Sequence, residues 1–451
     1  MLKKQANIIK QRYRGACFMK VVIIGGGSAG TTCAFELRKR NKKVEIIIIE
    51  KTNYCEYSPC ALPYLISQEI TDIEKVFILK PEDYQNNNIQ LFLNSEVIDI
   101  EKNKIIYKQT DQKKSITYDK LVLATGASCI TPEIKGLNTT SFLQLKTIAD
   151  VKKIMPLIKK DHQSVIIGGG MIGLELAEAL TKRGEKVTLL EKEANLLPNL
   201  LDQDMASRLE AVMPEIEIIN QADITEIANQ TIKVKNKTIA FDKLFVCTGF
   251  MPNLSLANKL NLETNKGIIV NQYLQTSQSD VYAIGDCVEV SQKNSNQKNL
   301  SQLGTVAVRQ GRIAAQNILG KQTDFLPVLN TTITKIGTWY IGSVGLKTQA
   351  DYLTTTYTST IRANYYNAEE KMTVKLICQR DGILVGGQII GQQEVAGHLH
   401  LIALAVDQKM TVKQLANLET SYNPAVITIF NPVTTAAEIL AKKVTFSQDK
   451  R

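Results

Sequence analysis

The sequence lacks the features of a membrane, secreted or metal-binding protein. No apolar run approaches the roughly 18 residues that a membrane-spanning helix needs, and residues 1–18 lack the continuous apolar segment of a secretory signal. Eight cysteines in 451 residues are too few for a disulfide framework. Of the three histidines, His398 and His400 have no acidic or cysteine neighbours that would complete a metal site. We therefore expect a cytoplasmic protein with mostly reduced thiols, no bound metal and no membrane partner.

Outside the N-terminus, the basic residues form no continuous positively charged stripe. The formal charge is +10, and residues 1–20 contain six basic side chains without one acid. The remaining charges are of mixed sign, so no nucleic-acid partner is predicted, whereas a phosphorylated ligand would suit the mild positive excess. Because Met19 directly precedes the first predicted strand, residues 1–18 are predicted to be a leader, either a disordered arm or a misassigned start.

A dinucleotide-binding pattern follows at once. The stretch "KVVIIGGGSAGTTCAFELRKRNKKVEIIIIE" is predicted to form a strand, a Gly25-x-Gly27-x-x-Gly30 turn, a helix, and a second strand ending at Glu50. Glycines in such a turn let the backbone approach a pyrophosphate at the helix N-terminus, and the acid binds the ribose hydroxyls. All the parts occur in order, which is more specific than an isolated glycine motif.

The same pattern occurs a second time. "QSVIIGGGMIGLELAEALTKRGEKVTLLE" gives Gly168-x-Gly170-x-x-Gly173 and ends at Glu191. Two complete units predict two bound dinucleotides. An acid at Glu191 favours the free 2′-hydroxyl of NADH over the 2′-phosphate of NADPH. Because Lys192 follows directly, NADPH stays an alternative.

Three shorter segments fit the same organisation. "YDKLVLATGASCITP" and "FDKLFVCTGFMPN" each predict a strand followed by Thr-Gly, and "SDVYAIGDCVEV" places Gly285-Asp286 after a further strand. A carboxylate at Asp286 could hold the polyol chain of a flavin, although a plain turn aspartate explains the residue equally well.

Together these motifs resemble the flavin-dependent pyridine nucleotide–disulfide oxidoreductases. The resemblance rests on the double glycine motif, the two Thr-Gly segments, "AIGD" and the following "VAVRQGRIAAQNILG", and it covers Met19 to about residue 440. It implies an α/β fold with two Rossmann-like domains and a C-terminal α+β dimerisation domain. The predicted boundaries are 19–133 with 254–330 for a split FAD domain, 134–253 for an inserted NAD(P)H domain, and 331–451 for the dimerisation domain.

The resemblance also implies the cofactors, FAD in the first unit and NADH in the second. It suggests a set of cofactor-binding residues, which are Gly25, Gly27, Ser28, Ala29, Gly30, Glu50, Lys51, Thr125, Gly126, Gly285 and Asp286 for FAD, and Gly168, Gly170, Met171, Ile172, Gly173, Glu191 and Gly249 for the nicotinamide nucleotide.

The stretch "NYCEYSPCALPY" holds the candidate redox centre. Cys55 and Cys60 have the C-x4-C spacing of a redox disulfide, but the C-terminal region offers no histidine to serve such a dithiol as a base. "SPCALPY" is instead similar to the single-cysteine branch. Ser58 and Pro59 are predicted to start a helix, which places Cys60 in a first turn where the helix dipole should favour its ionisation. We therefore expect Cys60 alone to be catalytic.

Further candidates come from the coenzyme A-disulfide reductases of that branch. Tyr365 and Tyr366 in "ANYY", and Tyr422 before "NPAVITIFNPV", resemble tyrosines that reach the active cysteine from the partner subunit of a homodimer. A phenol there could protonate a departing thiolate. Arg38 and Arg309 are the weaker candidates for binding the phosphates of the ligand.

The expected activity is reduction of a disulfide or persulfide, either coenzyme A-linked or inorganic polysulfide, by NAD(P)H through FAD and Cys60. Oxidase and peroxidase members of the branch carry a histidine where this chain has Ser28, so an NADH oxidase or peroxidase with a cysteine sulfenic acid is the first alternative. A C-x4-C dithiol reductase and a catalytically idle flavoprotein are the others.

Overall fold

The computed structural model describes residues 19–295, 297–366 and 369–448. The predicted leader at residues 1–18 lies outside the described residues, and so do residues 449–451. Within the described ranges no helix is long and apolar enough to cross a lipid bilayer, and no group of three histidine, cysteine or acidic side chains could hold a metal ion.

The described residues form 24 strands and 11 α-helices, with short 3-10 turns between them. The strands are β1 (Lys20–Ile24), β2 (Glu45–Ile49), β3 (Ile89–Phe92), β4 (Ser95–Glu101), β5 (Lys104–Gln109), β6 (Gln112–Thr117), β7 (Lys120–Leu123), β8 (Ala127–Cys129), β9 (Gln163–Ile167), β10 (Lys186–Leu190), β11 (Ile216–Ile219), β12 (Ile224–Ala228), β13 (Thr231–Val234), β14 (Lys237–Ala240), β15 (Lys243–Val246), β16 (Phe250–Pro252), β17 (Val281–Ala283), β18 (Glu289–Ser291), β19 (Lys298–Leu300), β20 (Thr332–Ile336), β21 (Trp339–Gly345), β22 (Leu353–Thr360), β23 (Lys371–Cys378) and β24 (Leu384–Gly391). The helices are α1 (Ser28–Arg40), α2 (Leu62–Ile66), α3 (Pro81–Asn86), α4 (Ile148–Ile154), α5 (Met171–Lys182), α6 (Gln203–Glu210), α7 (Ser255–Lys259), α8 (Gly304–Ile318), α9 (Val395–Asp407), α10 (Val412–Ala416) and α11 (Pro432–Gln448).

The first sheet is parallel and combines two distant parts of the chain. Its strand order is β17-β7-β1-β2-β3, so β17 joins strands that come more than 150 residues earlier. β1 and β2 are almost continuously apolar and buried, as expected of strands covered on both faces. Helices α1 and α8 cross closely, because Gly311 of α8 leaves no room for a Cβ beside the backbone of Ala29. The glycine turn between β1 and α1 therefore sits at the carboxyl edge of this sheet.

The second sheet repeats this arrangement with the order β11-β10-β9-β15, all parallel. β9 and α5 correspond to β1 and α1, so the two glycine turns open equivalent helices. The antiparallel pair β8–β16 carries the chain into and out of this unit.

The C-terminal region is an antiparallel sheet of order β20-β21-β24-β23-β22, covered by α9 and α11. Polar contacts, several of them to Asp202 and Asp204, fix it to the second unit. Thr334 donates to Glu175 at 2.5 Å, and the buried Lys375 pairs with Asp202 at 2.9 Å and Asp204 at 2.5 Å. The α/β architecture with two parallel sheets and a separate C-terminal sheet agrees with the predicted fold class, whereas the residue boundaries of the domains stay a prediction.

Candidate active site

The first glycine turn has the shape of a phosphate cradle. Gly25 has φ +109°, and a Cβ on it would lie 2.1 Å from the carbonyl oxygen of Ala124. A Cβ on Gly30 would lie 2.0 Å from the carbonyl oxygen of Gly25. The middle glycine, Gly27, has nothing within 4 Å of the corresponding point. The outer glycines are thus required for close packing, whereas Gly27 leaves open space at the start of α1 for a ligand.

The second turn repeats this geometry. A Cβ on Gly168, whose φ is +109°, would meet the carbonyl oxygen of Cys247 at 2.3 Å, and one on Gly173 would meet that of Gly168 at 1.9 Å. Gly170 again faces open space. Since the second turn is equivalent to the first, both units fit a dinucleotide.

The acid that ends each second strand is tied to its glycine turn. Glu50 accepts from the backbone N–H of Gly26 at 2.8 Å, and Glu191 accepts from that of Gly169 at 2.6 Å. These bonds hold each carboxylate at the end of its glycine turn, where a ribose would lie. The remaining predicted contacts lie on the same edges. Ser28 and Ala29 open α1, Lys51 follows Glu50 at the surface, and Met171 and Ile172 open α5.

The Thr-Gly segments lie beside the β8–β16 pair. Thr125 donates to the carbonyl of Asn253 at 3.0 Å, and Asn253 donates back to the carbonyl of Thr125 at 2.8 Å. Gly126 and Gly249 both have positive φ, at +65° and +101°. These segments therefore fix the connection between the two parallel-sheet units.

The Asp286 carboxyl sits in a 3-10 turn, Gly285–Cys287. Burial raises its pKa, and the nearby Lys146 ammonium opposes that rise. Burial in turn lowers the pKa of Lys146, which lies 4.2 Å from the ring centre of Phe250. The sequence analysis missed Lys146, because no motif marks it and only the fold brings it beside Asp286.

Cys60 lies between the two units. It is the one exposed thiol among the seven described cysteines. The charges that act on it belong to Asp286 of the first unit and to Glu175 on α5 of the second. Glu175 was also missed, although an acid on the helix after a glycine turn is a signal that the sequence offers. The thiol is therefore under the electrostatic influence of carboxylates from both nucleotide units.

The expected ionisation of Cys60 was wrong. Ser58 makes no side-chain capping bond, and Cys60 sits in a three-residue 3-10 turn, Pro59–Ala61, that leads into the five-residue α2. So short an element supplies little dipole. Desolvation, and then the charges of Glu175 and Asp286, raise the pKa of the Cys60 thiol above its usual value.

Cys55 occupies a different environment from Cys60. It is buried in the hydrophobic core around β1 and β2, and its Sγ donates to the carbonyl of Leu79 at 2.8 Å. Both cysteines are free thiols. A buried, hydrogen-bonded Cys55 weakens the dithiol alternative.

The predicted tyrosines lie in the C-terminal region. The hydroxyls of Tyr365 and Tyr422 are 3.0 Å apart, and this hydrogen bond raises the pKa of Tyr422. Tyr366 is exposed as well. The same region exposes further large apolar side chains, which we call the C-terminal patch: Leu404, Leu418, Val426, Ile429 and Phe430.

Arg38 is not available as a phosphate ligand, contrary to expectation. It is 5% exposed, and its guanidinium donates to backbone carbonyls of two chain segments. The acceptors are Asn41, Lys42, Val44, Asn87 and Asn88. Arg40 is paired with Glu36. Arg309 is exposed, lies 5.3 Å from the ring centre of Phe325, and borders a cavity of about 500 Å³.

Two nucleotide cradles and an accessible thiol between them define a class of protein, the oxidoreductases that couple a nicotinamide nucleotide to a flavin. Comparisons with known proteins agree. The family model described as pyridine nucleotide-disulphide oxidoreductase matches residues 19–311, and that of the family's dimerisation domain matches residues 334–430.

Similar proteins span nearly the whole chain. An NADH oxidase from Methanocaldococcus jannaschii is 36% identical over 445 residues, 94% of this chain and 99% of the relative. The structure of reduced Bacillus anthracis CoADR-RHD has a TM-score of 0.92 at 30% identity and covers 95% of this chain and 81% of its own. The structure of an NAD-dependent persulfide reductase from A. fulgidus has a TM-score of 0.90 at 30% identity. The match covers 94% of this chain and 83% of the reductase chain.

The chain belongs to the pyridine nucleotide-disulphide oxidoreductase family. It is an oxidoreductase that uses FAD and NAD(P)H, as predicted, and its dimerisation domain implies a homodimer. Its relatives divide between NADH oxidases and reductases of disulfides or persulfides.

Proposed function

We propose that the protein uses NADH to reduce the sulfur–sulfur bond of a small disulfide or persulfide through Cys60. The observation that carries the proposal is one exposed, free thiol on which carboxylates of both nucleotide units act. In this proposal Gly25, Gly27, Gly30, Glu50 and Asp286 hold FAD, and the second cradle with Glu191 holds NADH. Bound FAD would pass electrons from the nicotinamide to sulfur.

The reaction starts from the Cys60 thiolate. It attacks one sulfur of the substrate R–S–S–R′, forms a Cys60–S–S–R bond and releases R′–S⁻, which takes up a proton. Two electrons that originate in NADH then cleave the Cys60–sulfur bond, which restores the thiolate and releases R–SH. The sum is NADH, one proton and the disulfide giving NAD⁺ and two thiols.

The tyrosines are proposed to approach Cys60 from the partner subunit. Tyr365 and Tyr422 are exposed and hydrogen-bonded to each other, and they lie in the dimerisation domain. Exposed phenols beside apolar side chains are typical of interfaces. Across the dimer they would line the substrate entrance, with Tyr366 next to them.

Replacing Cys60 with serine is the direct test. We expect Cys60→Ser to abolish NADH-dependent disulfide and persulfide reduction, because the hydroxyl is a far weaker nucleophile. Flavin content and bleaching of the flavin by NADH should be unchanged. Cys55→Ser is the matched control, because a serine can keep the hydrogen bond to Leu79. Turnover that survives in Cys60→Ser contradicts the proposal, and loss in Cys55→Ser supports the dithiol alternative.

The NADH oxidase reaction is the second candidate, because the relative at 36% identity is an NADH oxidase. Oxygen consumed in stoichiometry with NADH, at a higher kcat/KM than any disulfide gives, would favour it. The mass of the denatured, unreduced protein tests the ligand class directly. An adduct on Cys60 with the mass of coenzyme A would identify a coenzyme A-linked substrate, whereas added sulfur atoms would indicate polysulfide.

A further inference from the structure

A cavity of about 420 Å³ lies where three regions of the chain meet. Its wall is formed by Asn199 and Leu200 of the second unit, by the β18–β19 pair with the segment just before it, and by strands β21 and β24 of the C-terminal sheet. We call it the junction cavity. Cavities of this size hold small organic ligands. Among the described residues, none from the glycine turns or from the segment around Cys60 lines it, so it is separate from the site described above.

Gln388 is a buried side-chain amide in the wall of the junction cavity, and half of it is unused. It is 1% exposed, and its Oε1 accepts from the backbone N–H of Asp202 at 2.9 Å. Its Nε2 has no hydrogen-bond partner within the described part of the chain. A buried donor without a partner is costly, and folded proteins satisfy nearly all such groups. The unpaired amide therefore indicates a ligand atom that accepts a hydrogen bond.

The charges around the junction cavity favour an anion. Lys266 and Lys347 both line it, whereas no aspartate, glutamate or arginine of the described ranges does. Asp202, which contacts Gln388 through its backbone, pairs its carboxylate with Lys375 at 2.9 Å. Lysine binds phosphate as a point charge, and the arginine fork that matches a carboxylate is missing from this wall. A phosphate group is thus the anion that the cavity suits best.

The remaining polar side chains of the wall suit hydroxyl groups. Four further amides line the cavity, namely Asn199, Gln292, Asn299 and Asn330. Each amide offers both donors and an acceptor, and a hydroxyl likewise donates and accepts. The wall therefore fits a small phosphorylated molecule that carries hydroxyls, such as a sugar phosphate.

The loop that borders the cavity also supports the second glycine turn. The N–H of Leu197 donates to the carbonyl of Gly169 at 2.9 Å, and Lys347 donates to the carbonyl of Pro198 at 2.6 Å. Leu197 has φ +49°, a left-handed conformation that is unfavourable for leucine. The loop therefore depends on its contacts to keep this shape. A ligand in the cavity would add contacts to the residues directly after Pro198.

We propose that the junction cavity binds a small phosphorylated molecule with hydroxyl groups, and that this ligand strengthens NADH binding in the second cradle. Lys266 and Lys347 hold the phosphate, and the Gln388 amide donates to an oxygen of the ligand. By fixing the loop, the ligand stabilises the glycine turn that receives NADH. The coupling is reciprocal, so NADH strengthens ligand binding by the same factor. It rests on the proposed placement of NADH in the second cradle and is independent of the chemistry at Cys60.

Calorimetric titration of the FAD-loaded protein with ribose 5-phosphate tests the site. We expect the wild type to bind this probe and glycerol 3-phosphate, and to bind neutral ribose at least roughly tenfold more weakly. Gln388→Glu keeps the acceptor for the N–H of Asp202 but places an acid in the wall, and Lys266→Gln removes a cation. Each should weaken binding of ribose 5-phosphate by roughly tenfold or more.

Lys298→Gln is the matched control. It removes the same charge as Lys266→Gln from an exposed position of the β18–β19 pair that does not line the cavity. Binding of ribose 5-phosphate should therefore equal that of the wild type.

The KM for NADH gives a second readout. Ferricyanide serves as the electron acceptor, so the measurement does not need Cys60. Saturating ribose 5-phosphate should lower the KM for NADH by roughly fivefold in the wild type and in Lys298→Gln. Lys266→Gln should require a correspondingly higher concentration of the probe for the same effect.

Several results would overturn the inference. They are no binding of either phosphate at roughly 10 mM, binding that is unchanged in both Gln388→Glu and Lys266→Gln, and an unchanged KM for NADH at saturation. A rise in the KM would mean that the probe competes with NADH in the cradle, and would overturn it as well. Turnover of disulfides that survives in Cys60→Ser would refute the proposed function alone and leave these measurements unaffected.

Discussion

Arg38 shows how burial changes the role of a single residue. It lies in the basic end of α1, where an exposed cation would suit phosphates, yet its guanidinium spans carbonyls from the chain after α1 and from Asn87 and Asn88 after α3. Burial also lowers the pKa of Arg38. The sequence could not predict this, because the accepting carbonyls on the far side lie 49 and 50 positions away.

Arg38→Lys should lower the free energy of unfolding by roughly 3 kcal/mol, because an ammonium cannot reach all the carbonyls that the planar guanidinium satisfies. The KM for coenzyme A disulfide should not change. Urea unfolding and steady-state kinetics check both points. Arg40→Lys is the control, since Arg40 is an exposed partner of Glu36 and should shift stability by less than about 0.5 kcal/mol. A selective rise in KM for Arg38→Lys would restore it as a ligand.

Glu56 predicts an unusual dependence of stability on pH. Its folded pKa is raised by burial, so the folded state binds more protons than the unfolded state between the ordinary glutamate pKa and the raised value. Stability from this group is full below the ordinary pKa and is lost as pH rises to the raised value. The difference in melting temperature between Glu56→Gln and the wild type should therefore shift in favour of the variant as pH rises through this window. Above the raised pKa the difference should be constant. A difference that is constant with pH would contradict a buried, titrating carboxyl.

At the scale of elements, the glycine turns were predictable because their requirements are local. A strand, a turn that needs positive φ, and a helix follow each other within one stretch, and the packing of Gly25 and Gly168 is equivalent in the two units. The element around Cys60 was not predictable in the same way. Its sequence favours a helix start, but the structure forms only a 3-10 turn and the short α2.

Two alanine substitutions in the second turn should separate folding from binding. Gly173→Ala places a Cβ 1.9 Å from a backbone oxygen, so it should destabilise the fold by more than about 2 kcal/mol. Gly170→Ala meets no protein atom within 4 Å and should fold normally, but its methyl group should raise the KM for NADH tenfold or more while flavin content stays constant. Thermal melts and NADH titrations check this. An unchanged KM in Gly170→Ala would mean that the pyrophosphate does not lie over the middle glycine.

At the scale of the whole molecule, the surroundings of Cys60 come from segments that the sequence gives no reason to connect. Asp286 follows β17, and Glu175 lies on α5 and is held by Thr334 of the C-terminal sheet. Motif reading identified the thiol and Asp286 separately. The sequence motifs do not show that these carboxylates raise the pKa of the Cys60 thiol, because that effect depends on how three regions of the chain pack together.

The C-terminal patch predicts that assembly and activity are coupled. Phe430 is 68% exposed, and Phe430→Asp should split the homodimer, because a buried charge at an apolar interface is costly. Disulfide turnover should fall with the dimer fraction, while bleaching of the flavin by NADH should persist. Sedimentation and turnover measured over a range of concentrations check this. Leu157→Asp, which charges an exposed apolar residue outside the C-terminal region, should neither dissociate the dimer nor lower turnover. A fully active Phe430→Asp monomer would exclude a role for the partner's tyrosines.

The hydrogen bond between Tyr365 and Tyr422 joins two segments of the C-terminal region. Both segments are far along the chain from Cys60. If each such pair serves the thiol of the other chain, a variant without the thiol and a variant impaired at Tyr422 can rescue one another. A mixed pair of one Cys60→Ser chain and one Tyr422→Phe chain would contain one centre with both defects and one with neither. Mixing the two preparations and letting the chains exchange should then give more turnover than the sum of the two preparations measured separately.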